Sequence, residues 1–222
     1  MYRLGVLLSG RGSNFQNILA SIKSGFIKNA EIVVVISNKA DANGLNIAKE
    51  NKIDAHFIDP AGKSREDYDK EVVAKLKDYK VDFIILAGYM RILSSYFIKS
   101  FENRILNIHP ALLPSFKGLH AQRQALEKGV KFAGATVHFV TEELDDGPII
   151  VQSIVPVFDD DNEDSLSERI LRTEHKIYPL AVKLLCEDKL SIKNGKVKIK
   201  DAETPNKNFF ITNPLIGGED GI

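Results

Sequence analysis

Within Leu106-Asn107-Ile108-His109-Pro110, two polar side chains sit two residues apart in an apolar run. A strand turns alternate side chains to opposite faces, so Asn107 and His109 share one face while Leu106 and Ile108 take the other. An amide and an imidazole side by side can stabilise a developing oxyanion and move protons. A buried Asn–His pair satisfied by backbone would read the same way. Four carboxylates crowd Glu142-Glu143-Leu144-Asp145-Asp146 ahead of Gly147-Pro148. A solvated turn accounts for such a cluster; alternatively one of the four partners His109 and favours its charged form. Glu174 occupies an apolar helical stripe otherwise made of Leu166, Ile170, Ile177, Ala181 and Leu184. A buried carboxylate is costly unless it is paired or binds a ligand; the alternative is a helix face that meets water at the sheet edge. His109, His120 and His138 lack the short spacing of metal sites, so no metal is expected. His56 reads as a surface residue, His138 as a strand residue able to hydrogen-bond in the core, and His175 as facing away from Glu174.

A further constellation is Ser9-Gly10-Arg11-Gly12-Ser13-Asn14, between an apolar run and a helical pattern. A strand-to-helix junction gathers free backbone N–H groups at the positive end of a helix, which suits an anion. The dinucleotide fingerprint needs a small residue where Phe15 stands and an acidic residue near the end of the second strand, which here closes Ile36-Ser37-Asn38. Gly12-Ser13-Asn14 does not supply the Gly-Lys-Ser/Thr with which a nucleoside-triphosphate loop closes. A phosphate monoester fits better than NAD; a plain tight turn is the bland alternative.

The elements that must carry these residues alternate strand and helix. Leu4–Leu8, Ile32–Ile36, Ala55–Ile58, Phe83–Ala87 and Ile105–Ile108 read as strands, the first and the last buried in character. Helical stripes follow at Phe15–Ile22, Leu45–Lys52 and Tyr68–Tyr79, the last opened by a Ser64-x-x-Asp67 start signal. Ala135–Val140 and Ile149–Val157 read as two strands in a hairpin-like or an edge arrangement. Asp159–Asp164 is expected to be a loop, Ser165 and Glu168 a capping box, and a long helix follows with a kink at Pro179. Lys189–Lys200 forms a small hairpin around Asn194-Gly195. A cis bond before Pro114 would hold the Ala111–Pro114 loop. The expected fold is α/β: a Rossmann-like, mostly parallel mixed sheet with helices on both faces. Residues 1–202 read as one catalytic domain, with halves of about 1–100 and about 101–202, and 203–222 as a tail.

Composition narrows the function classes. Lys plus Arg and Asp plus Glu both number 30, so the chain has no global attraction for nucleic acid or anionic membrane. A single cysteine, Cys186, excludes an intrachain disulfide. No targeting segment and no run near the roughly 20 apolar residues of a membrane helix is evident. A cytoplasmic location is the expectation.

Taken in order, Gly10–Asn14, Ala87–Leu93, Asn107–Pro114, Thr136–Pro148 and Glu174-His175 resemble the glycinamide ribonucleotide formyltransferase family, from Leu4 to about Leu185. The resemblance implies direct formyl transfer from 10-formyltetrahydrofolate to a substrate amine, with no metal and no covalent enzyme intermediate. It implies that Asn107, His109 and Asp145 are catalytic and that Gly12, Ser13 and Asn14 hold phosphate. It implies that Leu171, Arg172, Thr173 and Glu174 meet the ribose and glycinamide. Folate contacts implied are Arg65, for the glutamate carboxylate, then Met90, Arg91, Ile92 and Leu93, and Thr141, Glu142, Glu143 and Leu144, besides Asn107 and Asp145. Partners would be small molecules only, with the chain a monomer or homodimer. Two positions depart from the family pattern: Ala111 where serine is common, and Asp146 where glycine is common and a positive φ would suit glycine better. Methionyl-tRNA formyltransferases carry an extra nucleic-acid-binding domain and formyltetrahydrofolate hydrolases an N-terminal regulatory domain. A non-catalytic sensor built on the same sheet would bind ligand without turnover.

Overall fold

A computed structural model of the chain describes residues 1–202. The tail expected at 203–222 lies outside the described residues. Seven strands form one sheet in the order β3-β2-β1-β4-β5-β6-β7. They are β1 (Tyr2–Leu8), β2 (Ala30–Ser37), β3 (Asp54–Phe57), β4 (Phe83–Leu86), β5 (Ile105–His109), β6 (Phe132–Phe139) and β7 (Ile149–Pro156). β1 to β5 pair in parallel, whereas β5–β6 and β6–β7 are antiparallel. The mixed sheet is therefore as the sequence predicts, with β7 at an edge.

Alternation along β1 divides the core. Leu4, Val6 and Leu8 pack with α1 (Ser13–Lys23), α2 (Asn43–Glu50) and α6 (Glu163–Cys186), while Leu7 faces α3 (Arg65–Asp78) and α4 (Ser95–Ser100). Helices thus cover both faces, which is why the central strands are apolar on both sides. Ser64 caps α3 by accepting the Asp67 N–H at 3.1 Å. β8 (Leu190–Lys193) and β9 (Lys196–Ile199) pair across Asn194 and Gly195. Both turn residues have positive φ, as a tight two-residue hairpin requires. Among the described residues, no helix is long and apolar enough to cross a membrane.

Some expectations need correction. α6 begins at Glu163, not after Ser165: Asn162 is the cap, and Ser165 is the third helical residue that accepts its N–H at 3.1 Å. Glu163 and Asp164 belong to the first turn, where the helix dipole favours acidic side chains. Pro179 lies inside this helix without ending it. His56 is half-buried and bonded to the Tyr79 hydroxyl at 2.8 Å. Two helices go beyond the sequence pattern, α4 and α5 (Ala121–Lys128). α4 has under two turns, and α5 buries only Ala121 and Ala125, too small to raise an apolar stripe.

Candidate active site

Chain order reverses at β1, with β2 on one side and β4 on the other, and such a reversal opens a crevice beyond the strand ends. A cleft of about 610 Å³ lies there, lined by the Ser9–Asn14 loop, Gly88, Met90, Ile108, Leu171 and Glu174 among others. Gly12 caps α1 with φ 77. A Cβ on it would sit 2.8 Å from the Gly44 Cα, and the Gly44 N–H donates to the Gly10 carbonyl at 3.1 Å. The N-terminus of α2 therefore packs directly on the loop and holds its shape. The first N–H groups of α1 face the cleft without helical partners, the arrangement expected for an anion.

Glu174 is buried at the far wall, where its Oε2 accepts from Asn14 Nδ2 at 2.7 Å. Burial pushes its pKa up, and the Asn14 hydrogen bond and His109 oppose this. Asn14 Oδ1 is buried with no hydrogen-bond partner. It is an acceptor in need of a donor, which a sugar hydroxyl can supply and a phosphate oxygen cannot. Leu171 and Glu174 share a helix face one turn apart. Arg172 is exposed and pairs with Glu168, and the Thr173 hydroxyl bonds to Ser153 at 2.8 Å. Of this quartet, then, the cleft receives Leu171 and Glu174, and helical rotation turns Arg172 and Thr173 elsewhere.

A folded-state carboxyl with a raised pKa stays protonated while its unfolded counterpart ionises. Its stabilisation is thus full at low pH and is lost as pH climbs through the raised value. Glu174→Gln is expected to melt above the parent protein at pH 8, the gap closing toward pH 4, and to bind a ribose phosphate more weakly. Thermal melts across that range with a binding titration check it; equal melting curves and unchanged affinity would remove Glu174 from the site.

The second half of the site stands at the end of β5. Asn107 pairs with His138 and His109 with Thr136 across the antiparallel ladder to β6. His109 Nε2 lies 2.8 Å from the Phe116 carbonyl, and since a carbonyl only accepts, that nitrogen carries a proton. His109 Nδ1 faces Asp145 Oδ2 at 3.4 Å, and the same oxygen accepts the Gly118 N–H at 2.9 Å. The side chains of both His109 and Asp145 are under a tenth exposed. His138, which sequence reasoning does not place in the site, is buried and donates from Nδ1 to the Phe139 carbonyl at 2.9 Å. Burial lowers its pKa, so the ring is neutral and Nε2 is left as an acceptor for Asn107 Nδ2 at 3.3 Å. His138 thereby fixes which way the Asn107 amide points. Its approach to Asp145 Oδ1, 3.8 Å, is not an ion pair for the same reason. The signal is present in the sequence, a histidine alternating on a strand, but its partner follows only from the register.

The loops around this cluster are pinned by buried polar contacts. Thr136 Oγ1 donates to the Ala111 carbonyl at 2.7 Å and accepts the Leu113 N–H at 3.1 Å. The Leu113–Pro114 bond is cis. The positive φ falls on Asp145, at 48°, and not on Asp146. Asp146 forms an ion pair with Lys117, whose neighbour Gly118 binds Asp145. Met90, Ile92 and Leu144 are exposed on flanking loops, whereas Leu93 is buried in the core layer beneath. Arg91 stacks on Tyr68, its guanidinium carbon 4.3 Å from the ring centre. Thr141 is half-exposed; Glu142 and Glu143 are exposed, and Glu142 faces Lys99 at 3.6 Å. Arg65 is exposed at the start of α3, outside the cleft lining.

Residues 2–182 match the family model described as Formyl transferase, so the chain belongs to the formyl transferase family. It is 44% identical over 205 residues to the phosphoribosylglycinamide formyltransferase of Escherichia coli, covering 92% of this chain and 96% of that one. It is 48% identical over 185 residues to the trifunctional purine biosynthetic protein adenosine-3 of Drosophila melanogaster, using 82% of this chain but spanning only 14% of that longer protein. The crystal structure of glycinamide ribonucleotide transformylase 1 from Symbiobacterium toebii superposes with a TM-score of 0.88 at 50% identity, covering 90% of this chain and 95% of that one.

Proposed function

We propose that this chain transfers the formyl group of 10-formyltetrahydrofolate to the amine of glycinamide ribonucleotide. The products are N-formylglycinamide ribonucleotide and tetrahydrofolate, a step of purine synthesis. The observation that carries the reading is that an anion-shaped helix start at the end of β1 and the Asn107–His109–Asp145 cluster at the end of β5 lie on the same edge of one sheet, with only β4 between them. The phosphate sits on Gly12, Ser13 and Asn14, and the ribose hydroxyls reach Glu174 and the unpartnered Asn14 oxygen. The folate lies along residues 90–93 and 141–145, and Arg65 at the outer edge takes its glutamate carboxylate. The amine nitrogen adds to the formyl carbon and the carbonyl electron pair moves to oxygen. Asn107 Nδ2 and the Nε2 proton of His109 then stabilise that oxyanion, which displaces the Phe116 carbonyl as acceptor. Asp145 orients His109 and helps to pass protons through water. Collapse breaks the bond to the folate N10, which leaves with a proton while the former amine loses one. No metal and no NAD takes part. Residues 1–202 act as one catalytic unit, as a monomer or homodimer in the cytoplasm, on small molecules rather than nucleic acid.

The test is absorbance of the folate product released from a 10-formyl folate, with and without glycinamide ribonucleotide. Turnover that requires the amine is expected. Amine-independent turnover would indicate a hydrolase, and folate binding with no turnover another acceptor or a binding module.

A further inference from the structure

Asn38, standing near where a dinucleotide enzyme places its ribose carboxylate, has no part in the reaction above. Its Oδ1 accepts the hydroxyl proton of Ser9 at 2.6 Å. Ser9 is buried, directly follows β1 and directly precedes the phosphate loop. With its hydrogen committed to Asn38, the Ser9 oxygen turns its lone pairs outward, and one accepts the Met90 N–H at 2.8 Å. The Ser9 main-chain N–H donates to the Gly88 carbonyl at 3.0 Å. The residue just ahead of the phosphate loop is thus strapped by its side chain to Met90, in the segment assigned to the folate, and by its main chain to Gly88, just before that segment. The far end of that segment is anchored separately. The Ser94 N–H donates at 2.6 Å to Asp69, which is 1% exposed on α3, and Ser94 caps α4.

We propose that Ser9, oriented by Asn38, is a positioning residue that couples the two substrate sites, so that phosphate on residues 10–14 tightens the grip of residues 90–93 on folate. The inference rests on the substrate assignment above. An anion that draws the N–H groups of Gly10 to Asn14 together immobilises Ser9. An immobile Ser9 fixes the Met90 N–H and the Gly88 carbonyl, so the second ligand has less loop to order. Such coupling is reciprocal: folate must tighten phosphate binding by the same factor.

The experiment is calorimetric titration of tetrahydrofolate with and without saturating glycinamide ribonucleotide, a pair that lacks the formyl group and does not turn over. In the parent protein tetrahydrofolate is expected to bind at least about fivefold tighter in the ternary complex, within the usual allosteric range. Ser9→Ala should bring that factor below about twofold, under the roughly fivefold at which typical coupling begins. Asn38→Ala, at a half-buried position, does the same if Ser9→Ala does not fold. Asn38→Asp keeps the acceptor and should restore the factor. Asp69→Asn should weaken folate binding with the factor intact. Additive binding in the parent protein, or a full factor in Ser9→Ala, overturns the coupling alone. A parent protein that binds neither ligand overturns the substrate assignment first.

Discussion

His109→Ala is expected to lower kcat about 10³-fold, the scale for removing a proton-transfer group or an oxyanion donor, while both substrate dissociation constants stay within about threefold. The ring supplies the Nε2 proton now held by the Phe116 carbonyl, and it engages Asp145 through Nδ1. Its value lies where oxyanion charge develops, a state the ground-state complex lacks. Asp145→Asn keeps an oxygen for the Gly118 N–H but removes the carboxylate facing the ring, so a smaller fall is expected. Since the two act as one unit, the double variant should be little worse than His109→Ala alone. Steady-state rates combined with equilibrium titrations separate the cases. Affinity and turnover falling in equal measure would place His109 in binding, not chemistry.

Gly147→Ala carries the largest expected effect on the fold. An added Cβ would lie 1.7 Å from the Phe139 carbonyl oxygen and 2.8 Å from its carbon, both main-chain atoms that no rotamer change can move aside. The turn joining β6 to β7 is closed there by the Phe139 N–H to the Pro148 carbonyl at 2.9 Å. Either that turn opens or the strands part. A cost of about 3 kcal/mol is expected, at the upper end for overpacking. In a chain of this length it is a drop of about 6–12 °C in Tm. Asp145 lies two residues earlier, so activity should fall in the fraction still folded. A variant that melts within about 2 °C of the parent and keeps full turnover would show that the turn yields without cost.

Much of this architecture is legible in the chain. Four of the five parallel strands, β1, β2, β4 and β5, show as apolar runs because both of their faces are covered, whereas β3 at the sheet edge buries no residue; Asn107 and His109 show because strand alternation is a local rule. Asp145 can be named only by family resemblance, since nothing in the sequence says which of four carboxylates reaches across to β5. His138 escapes because its role depends on the β5–β6 register, a pairing between distant segments. α5 escapes because two buried alanines leave no apolar signal. The start of α6 is ambiguous in the sequence because Asn162 and Ser165 can each head a helix, and only the bonds made by Asn162 decide between them.

The close approach of Gly12 to Gly44 has a consequence for mutational maps of this protein. The anion site proposed here is built of main-chain N–H groups and a helix end, which no side-chain truncation removes. A library that trims Arg11 or Ser13 would score the loop as tolerant, as if it had no task. A library that adds atoms would score it as intolerant, because a methyl on Gly12 meets the Gly44 backbone and one on Gly44 meets Leu8 Cδ2 at 2.3 Å. Silence in the first map and lethality in the second, at adjacent codons, is the expected signature of recognition written in the backbone.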